Sequence, residues 1–147
     1  MIKVILVATD NSDRATKAVE YAADLAEQLG ATLRIVTVHQ PVVVANTASE
    51  QAIYGMQDER QIEEALEAHR ALLGPIADRL RDRGLDVKVR VVSGNPSETV
   101  IELAKNGGGD LVVVGNRGLG GWRRLLGSVP SRVLAAGRVP VVVVPTA

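Results

Sequence analysis

The chain has 147 residues, 17 of them basic and 17 acidic, with no cysteine and no phenylalanine. Balanced charge without a basic stripe argues against a nucleic-acid partner, and the missing cysteine excludes disulfides, a thiol nucleophile and Cys-based metal sites. No apolar run reaches the roughly 18 residues of a membrane span. The length suits one domain over residues 1–147 with a core of Val, Leu, Ile and Ala.

The start, MIKVILVATD, lacks a signal-peptide layout, so a cytoplasmic protein is expected. It reads as a first strand over residues 4–7, ending at Thr9 and Asp10. Ala15, Val19, Ala22, Ala26 and Leu29 then recur at helical spacing, and Gly30 stops that helix. A second strand over residues 33–38 follows. Residues 40–55 read as one long irregular segment, apolar at first and then small and polar, of the kind that forms a functional flap or a disordered insertion. Ile62, Leu66, His69, Leu73, Ile76 and Leu80 make the apolar stripe of a second helix, which Pro75 is expected to kink or split. After a third strand at residues 87–92, Asn95-Pro96-Ser97-Glu98 has the order of a capping box with proline at the first helical position. A fourth strand spans residues 111–114. Ser128 caps a fourth helix that Gly137 ends, and four valines at residues 141–144 form the fifth strand between Pro140 and Pro145.

Alternating strands and helices imply a parallel sheet covered on both faces, and the nearly solid aliphatic strands agree with burial on both sides. In such sheets ligands sit at the carboxyl ends of the strands where the winding reverses. With the first strand central and beside the fourth, Asp10 and Gly115 flank one crevice, walled by Val38 and His39.

The stretch DLVVVGNRGLGGWRRLLGS carries the most information. Gly115, Gly118, Gly120 and Gly121 follow a buried strand, and Gly127-Ser128 opens a helix. Glycine lets backbone N–H groups approach a ligand, and a helix start adds unpaired donors and the positive end of its dipole. The loop holds Arg117, Arg123 and Arg124 and no carboxylate, which suits an anion; a set of tight turns is the simpler alternative. It is neither a P-loop nor the dinucleotide fingerprint. A carboxylate, an apolar wall and an anion cradle are the parts an adenine nucleotide needs. His39 and His69 read as rim and packing residues, and Trp122 as a loop anchor.

These residues resemble the universal stress protein superfamily from end to end. The resemblance rests on Ala8-Thr9-Asp10, on Gly94-Asn95-Pro96, on Asp110 to Gly115, and above all on Gly115-Asn116-Arg117-Gly118 followed by Gly127-Ser128-Val129. The last set is similar to the family's ATP-binding signature of Gly, two residues, Gly, nine residues, Gly and Ser or Thr. Here eight residues separate Gly118 from Gly127, so the loop must arc more tightly.

The resemblance implies a Rossmann-like, doubly wound, five-stranded parallel sheet of order 3-2-1-4-5. It implies a site for ATP, alone or with Mg or Mn, or for another adenine nucleotide. Ala8, Thr9 and Asp10 would lie along base and ribose, with Asp10 accepting from a hydroxyl or holding a metal through water; the alternative for Asp10 is a helix cap. Val38 would offer its backbone to the adenine edge, and Val114 and Gly115 would sit beneath the ribose. Gly118, Gly127, Ser128 and Val129 would donate to phosphates.

Hydrolysis would need a base and a positioned water, yet the site offers Asp10 alone and the loop has no lysine. A nucleotide-binding stress or signalling protein with slow or no turnover is therefore expected. The alternatives are a nucleotide-independent dimeric interaction protein and a weak ATPase or phosphotransferase. The fifth strand, an uncharged sheet edge, implies a homodimer through that edge, as the family resemblance also does.

Overall fold

The computed structural model describes residues 1–41, 43–46, 53–116 and 128–146. Five strands form one sheet: β1 (Val4–Ala8), β2 (Thr32–His39), β5 (Val87–Ser93), β6 (Leu111–Gly115) and β7 (Val141–Val144). Their order is β5-β2-β1-β6-β7 and all pairings are parallel. Counting these five strands alone, that is 3-2-1-4-5, as expected.

Alternation within the strands divides the core. Ile5, Val7, Leu33, Ile35, Leu111 and Val113 face α1 (Ala15–Leu29) and α2 (Glu59–Asp82). Leu6, Ala8, Val36, Val38, Val112 and Val114 face α3 (Pro96–Lys105) and α4 (Ser128–Ala136). Side chains buried on both faces explain why the strands read as solid aliphatic runs. The buried stripe of α1 is mostly alanine, which lets that helix lie close to the sheet. Gly30 ends it in the left-handed conformation, at φ 65°. The Asn95 side chain accepts from Glu98 N and opens α3 with Pro96 in its first turn, as the sequence implies. At the amino end of the sheet, the Asp110 carboxylate accepts from the backbone N–H groups of Lys3 and Val4, each at 2.9 Å.

Two expectations are corrected. The segment read as irregular contains an antiparallel hairpin, β3 (Val43–Asn46) with β4 (Ile53–Met56). Its strands hold four residues each, too few to show a period, yet Val43, Val44, Ile53 and Tyr54 are good strand formers. Helix α2 runs unbroken through Pro75 instead of splitting there. Proline removes the bond to the carbonyl one turn back, but Ala71 and Pro75 are both exposed, so water can satisfy the freed carbonyl. Gly74 has open space beside it and relieves crowding.

Candidate functional site

The β1–β2 ladder ends at Ala8–Val36 and the β1–β6 ladder at Val7–Val113. Beyond these pairs, the ends of β1, β2 and β6 lie side by side at the point where the chain winds one way to β2 and the other way to β6. This puts Thr9 and Asp10, Val38, and Val114 and Gly115 at the same end of the sheet, around its switch point.

What each residue can offer follows from burial and strand direction. Ala8, Val38 and Val114 have buried side chains that belong to the core, so a ligand can meet only their backbone. Val36 O accepts from Thr9 N at 3.0 Å, while His39 O accepts from Gly94 N at 2.9 Å. Even residues of β2 thus turn their peptide groups toward β1 and odd ones toward β5. Val38 therefore directs its N–H and C=O to the β1 side, past the last residue that β1 pairs there. Buried peptide groups need partners, and the β1–β2 ladder has already ended at Val36.

The turn after β1 is tightly specified. Thr9 is buried; its carbonyl accepts from Thr37 Oγ1 at 3.0 Å and its Oγ1 accepts from Asn11 N at 3.1 Å. Asp10 Oδ1 accepts from Ser12 N at 2.9 Å. Asp10 thus closes a local turn rather than capping α1, whose first residue is Ala15; the Ala15 N–H goes to Ser12 Oγ at 3.2 Å. That arrangement uses one carboxylate oxygen; among the described residues the other accepts no hydrogen bond.

Gly115 sits where a side chain would not fit. A Cβ there would stand 2.8 Å from Thr146 Cγ2. Asn116 Oδ1 holds Thr146 by accepting from its N–H and its hydroxyl, at 3.0 and 2.9 Å. Ser128 and Val129 begin α4; Gly118 and Gly127 lie outside the described residues. The phosphate half of the predicted site is therefore represented by the start of one helix.

A polar cluster beside Asp10 was not foreseen. Asn11 takes φ 65°, the left-handed region that asparagine tolerates better than most residues. Its Nδ2 lies 2.9 Å from His69 Nδ1 on α2. The His69 ring is 5.8 Å from that of His39, and His39 Nε2 donates to Gln57 Oε1 at 2.8 Å. Partial desolvation lowers the His69 pKa from its ordinary value, the His39 imidazole adds to this, and Asp10 opposes both. His69 is thus hydrogen-bonded to the turn after β1 and not only a packing residue. An asparagine directly after a strand-ending Asp was the one local signal for it.

A cavity of about 600 Å³ lies elsewhere, between β2, β5 and α3, lined by Arg34, Arg90, Glu98 and Glu102 among others. Its mixed charges select no one ligand class. Among the described residues, no group of three or more His, Cys, Asp or Glu could hold a metal ion, and no helix is long and apolar enough to cross a membrane.

Comparison with known proteins gives the family. The model of the Universal stress protein family matches residues 1–145. Universal stress protein YxiE of Bacillus subtilis is 30% identical over 148 aligned positions, covering 98% of this chain and 99% of that protein. A universal stress protein of Thermus aquaticus is 33% identical, covering 98% and 99%. A crystal structure of a universal stress protein in complex with cAMP superposes with a TM-score of 0.70 at 31% identity, covering 99% of this chain and 98% of that one.

Proposed function

We propose that the chain, which belongs to the universal stress protein family, binds an adenine nucleotide in the crevice formed by the carboxyl ends of β1, β2 and β6. What carries this reading is that Val38 turns its peptide groups to the β1 side beyond the last β1 pair, at the same end of the sheet as Asp10, whose second carboxylate oxygen has no hydrogen bond among the described residues. Base edge and ribose hydroxyls are the ligand parts that match these groups. The similar structure that contains cAMP supports an adenine ligand.

On this reading the nucleotide is ATP or a close relative. Gly118, Gly127, Ser128 and Val129 give backbone donors to its phosphates, and Asp10 is the residue that would hold Mg or Mn through water. Turnover is slow or absent, because the crevice offers one carboxylate and the loop no lysine. The protein then acts in cytoplasmic stress signalling through its ligand-bound state.

The same reading includes a homodimer through β7. The two sheet edges differ: β5 exposes Lys88 and Arg90, which discourage edge-to-edge pairing, whereas β7 is four valines without charge. Two copies of β7 can meet antiparallel about a two-fold axis.

Mass spectrometry of small molecules released on denaturing the purified protein is the first test, with an adenine nucleotide expected. Isothermal titration at fixed salt is the second. Gly118→Glu and Ser128→Glu each place an anion where phosphate should sit and are expected to weaken ATP binding strongly, with unchanged thermal melting of the free protein. Equal affinity in wild type and both variants would sink the assignment.

A further inference from the structure

The cluster that joins Asn11 to His69 has a consequence for the neighbouring carboxylate. The Asn11 amide nitrogen carries hydrogens, so His69 Nδ1 must accept, and the neutral ring carries its proton on Nε2. Asn11 Oδ1 is buried and, among the described residues, has no hydrogen-bond partner. A proton on His69 Nδ1 would face the two amide hydrogens of Asn11. The bond would then survive only if the amide turned over and offered Oδ1 instead. With the amide in this orientation, the contact fits the Nε2-protonated neutral imidazole and not the imidazolium.

Asn11 is also part of the turn that carries Asp10. Its backbone N–H is held by Thr9 Oγ1, its φ is left-handed, and the next peptide N–H, that of Ser12, is the one that Asp10 Oδ1 accepts. Side chain and backbone of one residue therefore link an imidazole on α2 to the carboxylate at the end of β1, across 58 positions of sequence.

We propose that Asn11 and His69 are positioning residues for Asp10: neutral His69 accepts the Asn11 amide, fixes the left-handed turn and so holds the carboxylate where a ribose hydroxyl can reach it, and protonation of His69 releases that turn. The proposal rests on the crevice being a nucleotide site. The groups that bear on His69 are few. His39, from the end of β2, disfavours its proton, and Asp10, from the β1–α1 turn, favours it. On its own helix, Glu63, Glu67 and Arg70 are exposed and pair with one another. Ligand affinity falls on the acid side of the His69 midpoint, by about tenfold one pH unit below it if only the neutral form binds.

The test uses the full chain labelled with 15N. Imidazole spectra should show His69 as the Nε2–H tautomer, and the Ser12 backbone amide should shift with the His69 midpoint in ligand-free protein. His69→Gln keeps an acceptor for Asn11 but cannot titrate. It should abolish the Ser12 transition, bind AMP within about twofold of wild type above the midpoint, and show no acid loss of affinity. A Ser12 amide indifferent to His69, or AMP affinity in wild type that is flat or rises with acid, would overturn the proposal. Failure to bind AMP at any pH while Ser12 still follows His69 would overturn the ligand reading and leave the coupling standing. If His69→Gln does not fold, the wild-type tautomer and Ser12 titration decide the coupling alone.

Discussion

Replacing Gly115 by alanine puts a methyl group against the part of the molecule that closes the crevice floor. The new Cβ would stand 2.8 Å from Thr146 Cγ2, while the next nearest Thr146 atoms, Cβ and Oγ1, are at 3.9 Å. Essentially the whole overlap is with one methyl group. Thr146 cannot swing aside freely, because it is buried and donates both its N–H and its hydroxyl to Asn116 Oδ1. Rotation would sacrifice the hydroxyl bond, worth about 0.5–1.5 kcal/mol. Moving the backbone instead would strain the pairing of Gly115 with Val144. Overpacking of this kind costs about 1–3 kcal/mol. The lower entropy of the unfolded alanine chain returns about 0.4–1 kcal/mol. A net loss of about 1–2 kcal/mol is expected, and at about 2–4 °C per kcal/mol for a chain of this size it is readable in a thermal melt.

Thr146→Ser removes Cγ2 and keeps the hydroxyl. In that background Gly115→Ala should be neutral or slightly stabilising. Urea unfolding of wild type, both single variants and the double variant, without nucleotide and with matched m-values, completes the cycle. If Gly115→Ala costs the same in both backgrounds, the Thr146 methyl is not what excludes a side chain at Gly115, and the reasoning fails.

Asp110 accepts two backbone N–H groups, from Lys3 first and Val4 second, and these hold its pKa below the usual carboxylate range. A depressed carboxylate stabilises the fold above its unfolded pKa and loses that contribution as pH falls through its folded value. Asp110→Asn should therefore be less stable at neutral pH and lose less on acidification, and stability-against-pH curves of equal slope below pH 4 would contradict this. Val142, half-buried on β7, is the position at which lysine should break a β7-mediated dimer. Val144 is 7% exposed and belongs to the core, so a charge there would unfold the chain instead. Light scattering should find Val142→Lys monomeric, and a wild type already monomeric at micromolar concentration would end the dimer reading.

Strands and helices were legible where burial imposes a pattern. The aliphatic runs at residues 4–7, 33–38 and 111–114 marked the strands, and parallel register brings Asp10, Val38 and Gly115 to one end of the sheet. Solid aliphatic strands do not say which residues face which helix pair, since both faces are apolar; only the register supplies that. The hairpin of β3 and β4 was missed because two four-residue strands carry too little periodicity. The passage of α2 through Pro75 depends on exposure, which local sequence does not state. The bond between Asn11 and His69 is a long-range pairing of two residues, each of which alone has an ordinary explanation.

Where the molecule buries polarity bears on where it works. Burying a hydroxyl costs free energy unless a partner is found, and the core along the strands avoids it by being aliphatic. Among the described residues the buried polar side chains are Thr9, Thr37, Ser97 and Thr146, and all four stand at or near the carboxyl end of the sheet or just beyond it. Three of these hydroxyls have identifiable tasks: Thr37 steadies the Thr9 carbonyl, Thr9 takes the Asn11 N–H, and Thr146 binds Asn116. Each fixes the backbone at the end of a strand, where a ladder partner has run out. At the opposite end of the sheet the corresponding polar groups are exposed: Asp110 accepts from the N–H groups of Lys3 and Val4, and Asp86 from the Thr32 hydroxyl. An end stiffened by buried hydroxyls, beside a Val38 peptide turned to the β1 side beyond the last ladder pair, is the arrangement expected of a surface that must meet a ligand in a fixed geometry.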